Sequence, residues 1–278
     1  MIRIDSHHHL WQYNARDYGW ISEQMGVLRR DFTPDDFEAE ARPCGMDYSI
    51  AVQASQTLHE TRFLLQEARQ HPFIKGVVGW VPLTEPNVEL DLEHFARDEK
   101  LRGVRHVLQD EADDDYMLRD DFNRGIRTLR KFDLAYDILI FERHLRQTIE
   151  FVNKHPEQRF VVDHLAKPQV RDKLLSPWRE QIFELAKRPH VYCKLSGLAT
   201  EADHTAWTKE QLHVHMDVVM NAFGPQRVMF GSDWPVCLLA ISYAQWAALV
   251  SEHIARLSGD EQVRIWSGTA VEAYQLSV

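Results

Sequence analysis

Eight short apolar runs punctuate this chain, and each is followed by a segment with helical patterning. The runs are IRID (2–5), YSIAVQ (48–53), IKGVVGWV (74–81), LRGVRHV (101–107), LAYDILI (134–140), RFVVDH (159–164), HVYCKLS (190–196) and RVMFG (227–231). Many are almost continuously apolar instead of alternating, which marks parallel strands covered on both faces. Parallel neighbours need a crossover, and a right-handed βα unit used eight times closes on itself as a (β/α)8 TIM barrel. An open doubly wound sheet is the alternative, but it usually carries a glycine-rich phosphate loop after its first strand. Here three histidines, His7, His8 and His9, stand in that place. No Pro/Gly/Ser-rich linker, low-complexity tract or repeat interrupts the pattern, so 1–278 reads as a single domain.

Helix boundaries are legible between the runs. Thr33-Pro34 sets an N-cap before a proline at the first helical position, and Ser176-Pro177 repeats the device. Thr208 with Gln211 forms a capping box for a helix reaching Phe223, which Gly224-Pro225 stops. The span from His59 to His71 reads as a helix ended by Pro72. The longest connection, 10–31, carries Trp11, Tyr13, Tyr18 and Trp20. Aromatics on a long loop at a barrel mouth fit a lid or pocket wall, or equally a satellite core.

Composition narrows the function. A net charge of -10 argues against a nucleic-acid partner, since phosphate binding needs clustered Lys and Arg. No apolar run approaches the roughly 18 residues of a membrane span, and the opening MIRID has neither the basic nor the apolar region of a signal peptide. Cys44, Cys193 and Cys237 cannot all pair and contain no CxxC spacing, which fits a reduced, cytoplasmic protein. The sequence sets no oligomeric state; a homo-oligomer stays open.

Catalytic groups on a TIM barrel sit at the C-terminal ends of the strands. Taken in order, those ends offer His7 and His9, Gln53, Trp80, Arg105 and His106, Asp137, His164, Lys194 and Asp233. So many polar groups on one rim are costly to bury without a solvated or ligand-filled cavity. In an extended segment residues two apart point the same way, so His7 and His9 can reach one ion or one substrate. A tag remnant would not continue an apolar strand. A second HxH, His213 and His215, falls in a predicted helix, where residues two apart diverge by about 200°, and it is set aside. His155, His190 and His253 read as helix-end or surface residues. Gly231 and Pro235 restrict the backbone around Asp233, which suits either a carboxylate at a fixed angle or a turn cap.

The combination IDSHHHLW, VVDHLAKP, MFGSDWP and the closing WSGTAVEAY resembles the amidohydrolase superfamily over essentially the whole chain. It is most similar to the branch of lactone hydrolases that includes L-fuconolactone, L-rhamnonolactone and pyrone-dicarboxylate lactonases. Thr269 stands where many relatives carry Asn. The resemblance implies a small-molecule sugar lactone as substrate, with Asp233, His164 and Arg105 as the catalytic set. Gln53, Trp80, His106, Asp137 and Lys194 are then candidates for hydroxyl recognition, or else supporting polar residues. No lysine stands where it would bridge two metals, so a binuclear centre is not expected. His7 and His9, with His164 and Asp233, form a conditional site for at most one divalent ion such as Zn2+, or for none, because some lactonases of this branch work without metal. Metal-dependent decarboxylation or amide/ester hydrolysis on the same barrel is the alternative chemistry.

Overall fold

The computed structural model describes residues 1–278. Eight parallel strands stand in sequence order in one sheet, each followed by a helix: β1 (Ile4–His8), α1 (Pro34–Ala41), β2 (Tyr48–Val52), α2 (Leu58–Gln70), β3 (Ile74–Gly79), α3 (Val88–Phe95), β4 (Leu101–Val107), α4 (Asp120–Leu129), β5 (Ala135–Leu139), α5 (Leu145–Asn153), β6 (Phe160–Val162), α6 (Trp178–Leu185), β7 (Val191–Leu195), α7 (Lys209–Phe223), β8 (Val228–Phe230) and α8 (Tyr243–Ile254). Two short helices, α9 (Gly259–Val263) and α10 (Thr269–Tyr274), end the chain. The segment after β8 closes the barrel against β1, with the His9 amide donating to Trp234 O at 2.7 Å and the Asp233 amide to His7 O at 2.8 Å. The expected (β/α)8 barrel is therefore the fold. No helix is long and apolar enough to cross a membrane.

Two apolar layers hold it together. Strand residues facing outward join the inner faces of the helices in one large cluster. Inward-facing Ile4, Ile50, Val78, Ala135, Val161, Tyr192 and Met229 form a second, smaller cluster inside the barrel, closed from below by Ala270, Ala273, Tyr274 and Leu276. The C-terminal segment is thus a plug for the barrel floor. Above the floor, the two-residue strand period puts Asp137 over Ala135, Asp163 over Val161 and Lys194 over Tyr192, all inside the barrel.

The Thr33 N-cap is formed, with Asp36 completing a capping box, and so is the expected capping box of Thr208 with Gln211. Ser176-Pro177 does not act as expected. The helix starts at Trp178, and Ser176 lies one residue too early for its hydroxyl to cap it. β1 runs to His8 instead of stopping at Asp5, so His7 belongs to the strand itself. β6 stops at Val162, two residues short of the expected end, because the chain then turns left-handed: His164, Leu165, Ala166 and Lys167 all have positive φ. In the 10–31 segment Trp11 and Tyr18 are buried against each other, while Trp20 is 38% exposed with its indole N–H donating to Ala54 O. That segment is part wall and part satellite core.

Candidate active site

Alternation along β1 sends His7 and His9 inward and His8 outward. His8 stacks on Phe37 with ring centres 3.7 Å apart and bonds Ser49 Oγ at 3.0 Å, so it serves the helix layer. The inward pair converges, with Nε2 atoms 3.2 Å apart. Asp233 Oδ1 lies 3.3 Å from His9 Nε2 and 3.7 Å from both His7 Nε2 and His164 Nε2. The structure thus brings together the four residues His7, His9, His164 and Asp233.

Each is held from behind. His9 Nδ1 donates to Val52 O at 2.8 Å, which leaves its Nε2 as a lone pair. His164 Nδ1 bonds Ser196 Oγ at 2.8 Å. His164 and Asp233 both sit in left-handed backbone, at φ 51° and 58°, a conformation that costs non-glycine residues on the order of 1–3 kcal/mol and concentrates at functional sites. Two glycines give these side chains room. A Cβ on Gly197 would stand 2.6 Å from His164 Nδ1, and one on Gly231 would stand 2.8 Å from His7 Cβ.

Beneath the histidines lies a charged network. Asp163, fully buried, accepts from Arg105 Nη1 at 2.9 Å and pairs with Lys194 Nζ at 3.0 Å and His7 Nδ1 at 3.3 Å. Lys194 also reaches Asp137 at 2.5 Å, and the Tyr274 hydroxyl of the C-terminal plug donates to Asp137 at 2.8 Å. Arg105 Nη2 donates to Gln53 O, and Gln53 Nε2 returns a bond to Arg105 O at 3.3 Å. Two buried carboxylates therefore face two buried cations, the balance that makes such burial tolerable.

Electrostatics follow from this packing. Burial drives His7 well below the ordinary histidine value, with Lys194 adding to the effect and Asp163 opposing it. Burial likewise lowers His164 to about 4, against the pull of Asp233. Burial alone would raise Asp233, but His164, His9 and His7 outweigh it and hold the carboxyl below its ordinary value. At neutral pH this leaves the His7 and His164 imidazoles neutral beside an ionised Asp233 carboxylate.

That donor set fits one divalent cation. Imidazole nitrogens and a carboxylate oxygen are ordinary ligands for Zn2+, and ligand atoms of His7, His164 and Asp233 all lie within 4.8 Å of one another. His9 Nε2, 3.2 Å from His7 Nε2 and 3.3 Å from Asp233 Oδ1, is a further ring nitrogen within reach of the same ligand set.

The remaining expected residues divide. Arg105 and Gln53 lie against the histidines, and Gln53 Oε1 is buried without a partner. Asp137 and Lys194 lie lower and spend their polar atoms on each other, on Asp163, on His7 and on Tyr274. His106 alternates away from Arg105. It stacks on Tyr116, packs against Phe122 of α4, accepts from the Trp80 indole at 3.3 Å and bonds Glu111 at 2.6 Å. The set-aside histidines stay apart from the site: His215 packs on Trp178 and His213 on His253. His155 follows the end of α5 and His253 lies in the last turn of α8, the helix-end places expected of them, and both are buried. Asp163 and Ser196 were not singled out from the sequence. Asp163 stands inside VVDH, but a strict two-residue period allows only one of two adjacent residues to face inward.

The sequence model of the family described as amidohydrolase matches residues 4–276. The L-fucono-1,5-lactonase of Burkholderia multivorans is 45% identical over 99% of this chain and 96% of its own length. That of Burkholderia ambifaria is 37% identical, with 99% and 96% covered. A crystal structure of an amidohydrolase from Burkholderia multivorans with bound Zn superposes with a TM-score of 0.97 at 44% identity, covering the whole of both chains.

Proposed function

The chain belongs to the amidohydrolase family, and from that premise we propose that it hydrolyses a sugar-derived 1,5-lactone, of the L-fuconolactone kind, to the open sugar acid. The observation that carries the reading is the ionised Asp233 beside the neutral imidazoles of His7 and His164, joined to full-length likeness to two L-fucono-1,5-lactonases. The same relatives favour lactone opening over decarboxylation.

Asp233 takes a proton from a water molecule, and the resulting hydroxide attacks the ring carbonyl. His164, oriented by Ser196, and Arg105, anchored by Asp163, stabilise the charge that develops on the carbonyl oxygen. The C–O ring bond then breaks, and Asp233 returns its proton to the leaving alkoxide. His7, His9, His164 and Asp233 are the residues that would hold one divalent ion such as Zn2+, which supplies Lewis-acid polarisation of the carbonyl. The unpartnered Gln53 Oε1 is an acceptor for a sugar hydroxyl, and Trp80 supplies apolar wall. Asp137 and Lys194 act from below, by holding Asp163, which in turn faces His7 Nδ1. The enzyme works in the cytoplasm on a small molecule.

A pH-indicator screen of the purified protein against aldono-lactones, with and without chelator, tests the reading. Opening of L-fucono-1,5-lactone ahead of five-membered lactones is expected. Absence of turnover across the panel, in metal-supplemented and chelated samples alike, would overturn it.

A further inference from the structure

The nitrogen that His7 offers to the site has a second claimant. Arg105 Nη1 lies 3.3 Å from His7 Nε2; with the ring proton on Nδ1, which faces the acceptor Asp163 Oδ1 at 3.3 Å, Nε2 carries the one lone pair that the Arg105 N–H can address. The guanidinium is not free to leave. Nη1 also donates to Asp163 Oδ2 at 2.9 Å and Nη2 to Gln53 O, and the side chain is buried. On its other side His7 Nδ1 meets Asp163 Oδ1 and the Lys194 ammonium, 3.1 Å away, so the ring cannot turn its second nitrogen inward without breaking that network. A zinc ion bonded to Nε2 would sit about 2.0–2.1 Å from it, in the space the Arg105 N–H addresses and beside a permanent positive charge.

We propose that Arg105 is a built-in competitor for the divalent cation at His7, keeping the ion at this site weakly held and exchangeable. Either the guanidinium or the cation engages His7 Nε2, and the anchored guanidinium has the advantage until cation concentration is high. The inference rests on the reading of this site as the cation-binding centre of the proposed lactonase.

Zinc affinity, measured by competition with a chromophoric chelator and without any lactone, tests this in the full-length protein. Arg105→Met removes the charge and the N–H while keeping bulk, and should tighten Zn2+ binding by about tenfold or more. Arg105→Lys, which keeps the charge, should stay within about threefold of wild type. Arg105→Gln repeats the neutral substitution with donors left for Gln53 O, and circular dichroism confirms which variants are folded. A folded Arg105→Met or Arg105→Gln that binds Zn2+ no more tightly than wild type overturns the proposal. His7→Gln is measured in parallel with Arg105 intact. Because wild type draws little on that nitrogen, a loss below about tenfold supports the competition, and a loss of tenfold or more overturns it. Lactone turnover enters none of these readings, so the competition and the lactonase reading fail separately.

Discussion

His7 meets opposite environments on its two nitrogens, Asp163 and Lys194 on one side and Arg105, His9 and Asp233 on the other. Asp163 is the residue that makes this arrangement possible, since its carboxylate balances both buried cations and holds His7. Asp163→Asn should leave Arg105 and Lys194 undercompensated in a fully buried place. Removing one partner of such a network typically costs about 3–5 kcal/mol, so urea unfolding should show a loss of that order; a midpoint unchanged from wild type would contradict the account. The sequence made His7, His9, His164 and Asp233 visible because each ends a strand run. Asp163 stayed hidden because two adjacent residues can both face inward only where the chain leaves the strand. It does so at His164, through a left-handed turn that no residue type there announces.

At the scale of elements, the barrel strands position the chemistry and the turns after them aim it. Gly197 follows β7 at φ +61°, and any Cβ there would press into the His164 ring. Gly197→Ala should therefore strain the turn by about 1–2 kcal/mol and displace His164. A shift of that kind lowers kcat by at least about tenfold, with a smaller change in KM, in steady-state assays on lactone. Wild-type kcat in a folded variant would show that His164 needs no such support. Element identity was legible where signals are local: the Thr33 N-cap before Pro34 and the Thr208–Gln211 capping box depend on side chains at most three residues apart, and both formed. Ser176-Pro177 carried the same dipeptide logic but stands one position too early for the helix that forms. His106 was read onto the rim by strand position alone. The alternation that turns Arg105 inward turns it outward, against Tyr116 and Phe122.

For the whole molecule, the order and apolar continuity of eight strand runs carried the barrel, because parallel strands buried on both faces leave little other choice. The floor plug was not legible. The packing of α10 under the barrel and the Tyr274–Asp137 bond connect residues 137 positions apart. The stability of the assembled fold should respond to acid through buried histidines remote from the site. His155 Nε2 carries the ring proton and donates to Asn123 Oδ1 at 2.6 Å. Burial, with Arg127, Lys154 and Arg130 nearby, lowers His155 from 6.5 to about 4. Its folded value lies below its unfolded one, so the unfolded chain takes up the proton first. The contribution is fully present above pH 6.5 and is lost as pH falls through about 4. His155→Gln should flatten the decline in unfolding free energy between those values by on the order of 1–2 kcal/mol; an unchanged slope would contradict the assignment.

The central claim is that the carboxylate of Asp233 moves the proton in lactone opening. Initial rates of L-fucono-1,5-lactone hydrolysis for wild type and Asp233→Asn, compared at equal folded concentration, test it most directly. Asp233→Asn keeps the shape and loses the base, so kcat should fall by about a thousandfold or more while circular dichroism and the unfolding midpoint stay near wild type. A folded Asp233→Asn that opens the lactone at a rate close to wild type would contradict the account.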